Sequence, residues 1–389
     1  MALQYKKIII TLLILLWARE GLCFPVVGKA PQDVKDVYLP DGDGIRVETW
    51  VENLDIPWSL VFLPDGRALV SERSGRIRLI KDGKLMRGAY AAVEVHHSGE
   101  GGLMGLAVHY AFPQKPFIYA MHTYKKAGAL YNRIIRLKDN GDKGIFDRVI
   151  IDKIPAGRFH NGGRIAFGPD GMLYITAGET FNADLAQDLN SLGGKILKIT
   201  PDGDIPQDNP FKDSPIYSYG HRNPQGLAWD PDRGDLFESE HGPSGEYLVS
   251  ANDEINIIRK GGNYGWPDAV GAPGKKPYID PFIVWKQTTP PSGITFYKSD
   301  KLIKFKGDLF VATLGGEALI RIRLMREDNR YSALRIERWF IDDNKNSRFG
   351  RIRDVVEGPD GFLYFLTNNR DGRGRPREGD DRIYRIRPK

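Results

Sequence analysis

The sequence is almost without cysteine. Cys23 is the only one in 389 residues, which excludes an intramolecular disulfide and any paired-cysteine zinc site. Long apolar runs are missing too: none reaches the roughly 18–20 residues that cross a bilayer as a helix. There is no G-x-x-x-x-G-K-[ST], no helix-opening G-x-G-x-x-G and no G-x-S-x-G, so P-loop, dinucleotide-binding and nucleophile-elbow chemistries are set aside. Neither sign of charge dominates. Lys+Arg is 56 and Asp+Glu 50, a net +6, which suits anionic ligands but does not argue for nucleic acid. Beyond residue 30, a long helix is hard to place anywhere.

What is abundant is punctuation. Gly 44 and Pro 25 without a collagen period, with 11% aromatics, point to many short strands joined by turns. The 41% hydrophobic content suffices for a sizeable core and excludes a disordered chain. At the start, Lys6-Lys7 precede an apolar run from Ile8 to Trp17, then Gly21-Leu22-Cys23. A basic start, short apolar middle and small-residue cut site predict a signal peptide over residues 1–23. The mature chain is then cysteine-free, exported to a periplasm or secreted, and without stable membrane insertion.

The remainder repeats one unit: an apolar strand, a turn, a second apolar strand, then an alternating third. In four copies the turn is built on Pro-Asp: Pro64-Asp65-Gly66, Pro169-Asp170-Gly171, Pro231-Asp232 and Pro359-Asp360-Gly361. Pro presets φ and Asp-Gly accepts turn geometry, so each predicts a hairpin. Two weaker copies, Gly105–Val108 and Ile294–Tyr297, fill the gaps. The first strands start near residues 60, 105, 164, 226, 293 and 353. This is wider than a minimal blade of about 40–45 residues, with room for a fourth strand and functional loops. The pattern predicts an all-β fold, a six-bladed β-propeller of four-stranded antiparallel blades. Ile45–Val51 resembles Leu334–Phe340, the strand before the sixth unit. The N-terminal strand is therefore expected to complete the last blade and close the ring. One domain over 45–389 follows, behind an extension over 24–44.

Polar constellations fall between strands, where loops reach the propeller's ends. His160-Asn161-Gly162-Gly163-Arg164 places an imidazole beside two glycines, which let backbone approach a ligand closely. Glu179, at the end of the next strand, could return to His160, fix its tautomer and raise its basicity. Tyr219-Gly220-His221-Arg222-Asn223-Pro224-Gln225-Gly226 crowds hydrogen-bonding side chains into one pre-strand loop. Glu240-His241-Gly242-Pro243, Asn252-Asp253-Glu254 and Gly262–Pro267 offer oxygen ligands that suit Ca²⁺, without an EF-hand pattern. Arg351 and Arg353 share one strand face by period two and favour a carboxylate-bearing ligand. His96-His97 is read as surface, because adjacent strand residues face opposite ways.

Together these motifs resemble the soluble quinoprotein aldose sugar dehydrogenases, the glucose/sorbosone dehydrogenase family, which use pyrroloquinoline quinone (PQQ). The resemblance runs from about residue 45 to the C-terminus. It also rests on Glu100–Gly105, Asp253–Asn256, Asn263–Pro267, Pro291–Gly293 and Arg351–Asp354. It implies a six-bladed propeller, PQQ and Ca²⁺ as cofactors, an aldose substrate and a separate electron acceptor. By motif, His160 matches the general base, Glu179 its acidic partner, and Arg222 and Asn223 the groups on the quinone oxygens. Glu100, Thr288, Arg351 and Arg353 match further cofactor contacts. The carbonyls of Gly242 and Pro243 match the active-site calcium ligands. Glu254 and the Tyr264 carbonyl match a separate structural calcium site.

The chain departs from the family at three places. Glu100 stands where some members have Gln. Gly315 falls at the position of a cofactor-binding Lys, with Lys286 beside Trp285 as the candidate substitute. Ser244–Ala251 lengthens one loop. Two other classes stay open on the residues alone: a calcium-dependent lactonase on the same architecture, and a non-catalytic propeller binding a glycan or protein.

Overall fold

The computed structural model describes residues 24–31, 35–328 and 330–389; the predicted signal peptide lies outside them. Six antiparallel sheets follow one another along the chain. The first blade runs Pro57–Phe62, Ala68–Glu72, Arg76–Lys81 and Lys84–Ala92. The first strand of each later blade begins at Leu103, Ile165, Pro224, Pro291 and Ile352, within a few residues of the starts read from sequence. First strands of neighbouring blades pack against each other, except that Pro224–Trp229 of the fourth blade meets the third blade's second strand, Leu173–Ala177; Ile352–Glu357 packs back on Pro57–Phe62. That contact closes a ring around a central channel.

The Pro-Asp turns work through their aspartates. Asp170 accepts the Met172 N–H at 3.1 Å and the Tyr174 hydroxyl at 3.0 Å. Asp360 does the same with the Phe362 N–H at 3.2 Å and the Tyr364 hydroxyl at 2.8 Å. One acidic side chain thus caps the turn and ties it to the strand that follows.

Inter-blade contacts are apolar. Phe237 of the fourth blade meets Phe296 and Tyr331 of the fifth edge to face, at 5.1 and 5.0 Å. Phe340 stacks on Phe365 at 5.5 Å across the fifth and sixth. Each fully buried ring of this kind contributes about 1.5–3 kcal/mol. Three short 3₁₀ turns supply the helical structure among the described residues, and no helix there is long and apolar enough to cross a membrane.

The closure is the expected one. Ile45–Val51 pairs antiparallel with Ile383–Pro388, Val47 opposite Ile386 and Glu48 opposite Arg385. The extension before it is more than a tail. Asp36–Leu39 adds a parallel fifth strand to the fifth blade, on Ile336–Trp339. Val26–Val27 pairs with Ala269–Val270.

Candidate active site

His160 sits in the loop before the third blade's first strand, with φ 53. Its carbonyl oxygen would lie only 2.2 Å from a Cβ at Gly178, so the second strand's end must be glycine for the loop to fold over it. Next, just past the strand Leu173–Ala177, is Glu179, whose carboxylate hydrogen-bonds His160 Nδ1; both side chains are buried. The neutral imidazole therefore keeps its proton on Nδ1, donating to Glu179, and exposes the Nε2 lone pair. Nε2 has no hydrogen-bond partner among the described residues. Glu100 accepts the His160 backbone N–H at 3.0 Å, and Arg373 donates to the other Glu100 oxygen at 3.0 Å. Phe181 stacks on the imidazole, 4.0 Å between centroids.

A chain of hydrogen bonds leads from the Gly162 N–H, two residues beyond this base, to Arg353. Asn223 Oδ1 accepts from the Gly162 N–H at 3.1 Å and from Gln225 Nε2 at 3.0 Å. Gln225 Oε1 in turn accepts from Arg353 at 3.1 Å. Arg353 is 5% exposed. Its other acceptor is Ser292 Oγ at 3.3 Å, and no carboxylate neutralises it directly. Burial pushes its pKa down, opposed by Asp371 and reinforced by the neighbouring Arg351 and Arg73. Arg351 differs: it holds Asp371 at 2.8 Å, a partner the sequence pattern did not suggest. Arg222 pairs with Glu246 of the lengthened Ser244–Ala251 loop and lies 5.5 Å from the Trp266 ring. The Nε atoms of Arg73, Arg222, Arg351 and Arg353 are buried without a partner. Buried guanidinium groups short of acceptors fit an anionic, oxygen-rich ligand such as PQQ.

Beside Arg222 is a cavity of ≈ 20 Å³ lined by Glu240, Gly242, Pro243, Glu254 and Tyr264. That is room for one water or ion. The residues expected in two calcium sites thus line a single cavity. Burial, then Glu240, raises the Glu254 carboxyl well above its ordinary value, and the same causes act on Glu238. Buried carboxylates held against their own repulsion fit a divalent cation. Glu240 also accepts from His221 Nδ1 at 2.8 Å and from the Asn223 N–H at 3.2 Å, so it links this cavity to the Arg222–Asn223 loop.

Sequence reasoning missed Asp253 as a brace. It accepts the Gly242 N–H at 3.1 Å and the Thr289 N–H at 2.6 Å, and burial pushes it up to about 6. Phe181, Asp371 and Gln225 were likewise not singled out for roles; Gln225 alone stood inside a quoted motif. Thr288 is exposed and lines an open bay together with Gly315. The cation beside that bay's glycines is Arg338, whose Nη1 is 3.6 Å from where a Gly316 Cβ would be. Lys286, the expected substitute, is exposed and does not line the bay.

Fold and site together define a six-bladed propeller dehydrogenase. The model of the Glucose / Sorbosone dehydrogenase family matches residues 54–383, and the chain belongs to that family. It is 36% identical to the aldose sugar dehydrogenase YliI of Escherichia coli, over 84% of this chain and 91% of that one. Against quinoprotein glucose dehydrogenase B of Acinetobacter calcoaceticus the identity is 33%, covering 82% and 84%. The PQQ-bound aldose sugar dehydrogenase of Streptomyces coelicolor superposes with a TM-score of 0.77 at 39% identity, covering 90% of this chain and 99% of that one.

Proposed function

We propose that the protein oxidises the anomeric hydroxyl of aldoses to the lactone, using PQQ and Ca²⁺, as an exported enzyme whose residues 1–23 are the leader. The observation that carries this is the pairing of a poised base with an unneutralised cation. His160, its Nε2 free, stands two residues before Gly162, whose N–H starts the hydrogen-bonded chain through Asn223 and Gln225 to buried Arg353.

His160 Nε2 accepts the proton of the C1 hydroxyl. Glu179 fixes the tautomer and stabilises the imidazolium that results. Glu100, by holding the His160 N–H, sets the position of the ring. Phe181 covers one imidazole face and limits water there. Arg353, Arg351, Arg222 and Asn223 would hold the carboxylates and quinone oxygens of PQQ. The Gly242 and Pro243 carbonyls would face Ca²⁺, with Glu240 and Glu254 balancing its charge. When bound, PQQ supplies the two-electron acceptor for the C1 hydride and Ca²⁺ polarises it.

The test is reconstitution. Purified apoprotein given PQQ and Ca²⁺ should gain dye-linked aldose oxidation that neither addition alone confers. No oxidation of any aldose by saturated protein would reject the reading.

A further inference from the structure

The channel has a second mouth, which the reaction above does not use. His160, Asn223 and Arg351 stand before the first strands of the third, fourth and sixth blades. The far ends of the first strands surround the opposite opening. A hollow of ≈ 490 Å³ lies there, the size of a small-molecule site. Every blade supplies part of its wall: Val61, Val108, Ala166, Leu227, Thr295 and Val356, in blade order. None of these positions is an expected cofactor or calcium contact.

Arg164 lines the hollow and is 7% exposed. Its Nη1 donates to Asp354 at 2.9 Å and to Ser59 at 3.4 Å, and its Nε to the Gln225 carbonyl at 3.2 Å. Its Nη2 is buried and has no partner among the described residues. The indole of Trp58 is 4.4 Å from this guanidinium and 5.3 Å from that of Arg353. One buried ring is thus shared by the cation of the far mouth and the cation assigned to the cofactor.

Other buried arginines in this protein hold two carboxylates each. Arg136 has Asp147 and Asp202, and Arg321 has Asp308 and Glu337. Arg164 has one, Asp354. A second anion suits its free donor best, because a charge-assisted hydrogen bond is roughly twice as strong as a neutral one. At the rim, Lys298 is exposed and forms no ion pair among the described residues. Glu357, the rim's carboxylate, accepts the Lys298 backbone N–H at 2.6 Å. The walls between rim and floor are largely aliphatic. A sugar would set its hydroxyls against valines. A dianion would meet Asp354 and Glu357 with twice the repulsion of a single charge.

We infer that the far mouth is a binding site for a small aliphatic monocarboxylate. Its carboxylate accepts from Arg164 Nη2, its chain lies along the valines, and Lys298 attracts the anion at the entrance. This is independent of the aldose-oxidising reading.

The test is calorimetry of the purified protein with acetate, butyrate and hexanoate, with and without saturating PQQ and Ca²⁺. Each methylene that enters the hollow should tighten binding about fourfold. Hexanol, which lacks the charge, should bind at least tenfold more weakly than hexanoate, and PQQ should not displace hexanoate. Thr295→Trp fills the mouth from one wall; it should abolish hexanoate binding while the PQQ Kd stays within twofold. Arg164→Met with Asp354→Asn removes both charges together, so that neither is left buried alone, and should bind hexanoate and hexanol alike. If that pair fails to fold, Thr295→Trp and the hexanol comparison decide alone. Equal affinity for acetate and hexanoate, or for hexanoate and hexanol, would overturn the inference. So would hexanoate binding that PQQ abolishes and Thr295→Trp leaves intact, because the carboxylate would then sit on Arg351 and Arg353. No hexanoate binding at all would leave water as the ligand of Arg164 and reject the site.

Discussion

Replacing Arg353 by methionine should weaken cofactor binding and yet not destabilise the apoprotein. The side chain is 5% exposed, bonded only to Gln225 and Ser292. Two neutral-acceptor hydrogen bonds are worth about 1 kcal/mol each, net. Against them stand the several kcal/mol of desolvation that an incompletely paired buried ion suffers and the like charge of Arg351 and Arg73. Methionine keeps most of the volume and removes the charge. The apoprotein's thermal midpoint should therefore hold or rise. The loaded protein loses a charge-assisted contact worth about 1.5–3 kcal/mol. That converts to a cofactor Kd at least tenfold weaker, at about 1.4 kcal/mol per decade. Titration of apoprotein with PQQ reads the first quantity and scanning calorimetry of apoprotein the second. An unchanged Kd would mean that the arginine does not touch the cofactor. A sharp fall in the apoprotein midpoint would mean that the cation is structurally compensated, and the argument from its missing partner would fail.

Other outcomes follow from the same geometry. His160→Ala should bind PQQ normally by titration and lose roughly 10²–10⁴-fold in turnover; Glu179→Gln, which keeps an acceptor for Nδ1 but removes the charge that stabilises the imidazolium, should lose less. Gly178→Ala puts a Cβ 2.2 Å from the His160 carbonyl, and a thermal melt should register roughly 1–3 kcal/mol of overpacking. Carboxyls raised by burial bind more protons folded than unfolded, so their contribution to stability falls as pH rises from about 4. With Asp253 at about 6 and Glu254 and Glu238 raised well above the ordinary carboxyl value, chelated protein should melt progressively lower up to and beyond pH 6. Excess Ca²⁺ should remove that slope and, at a hundred times its Kd, add about 2.7 kcal/mol. A melt unaffected by chelation at pH 7.5 would reject the metal cavity.

The blade count and the closing strand were legible because both are written in local pattern. A Pro-Asp turn between apolar strands is readable wherever it occurs, and Ile45–Val51 repeats the alternation of Leu334–Phe340. His160, Arg222 and Asn223 were legible because each stands beside glycines or proline in a short, dense loop. What escaped depends on contacts far apart in sequence. Asp36–Leu39 pairs with Ile336–Trp339 in parallel, which leaves no turn signal between them. Asp371 and Arg351 are separated by a hairpin, and nothing local distinguishes Asp371 from other acidic residues. Asp253 looked like one more calcium carboxylate until its two backbone donors, Gly242 and Thr289, were in place. Phe181 reads as an ordinary loop aromatic; only the fold of its loop over His160 gives it a role.

Because residues 45–51 pair with residues 383–388, the two ends of the chain are zipped together in one sheet. A ribosome or a translocation pore releases the N-terminal strand first and its partner last. Five blades can assemble in turn, but the ring stays open until the final residues emerge. Once made, the seam holds Ile45–Val51 and Ile383–Pro388 in one sheet, so neither strand can peel away without breaking the sixth blade. A permutant opened in the exposed Gly128 or Gly141 turn, with residues 389 and 24 joined, would move that seam to the second blade and let the sixth form early.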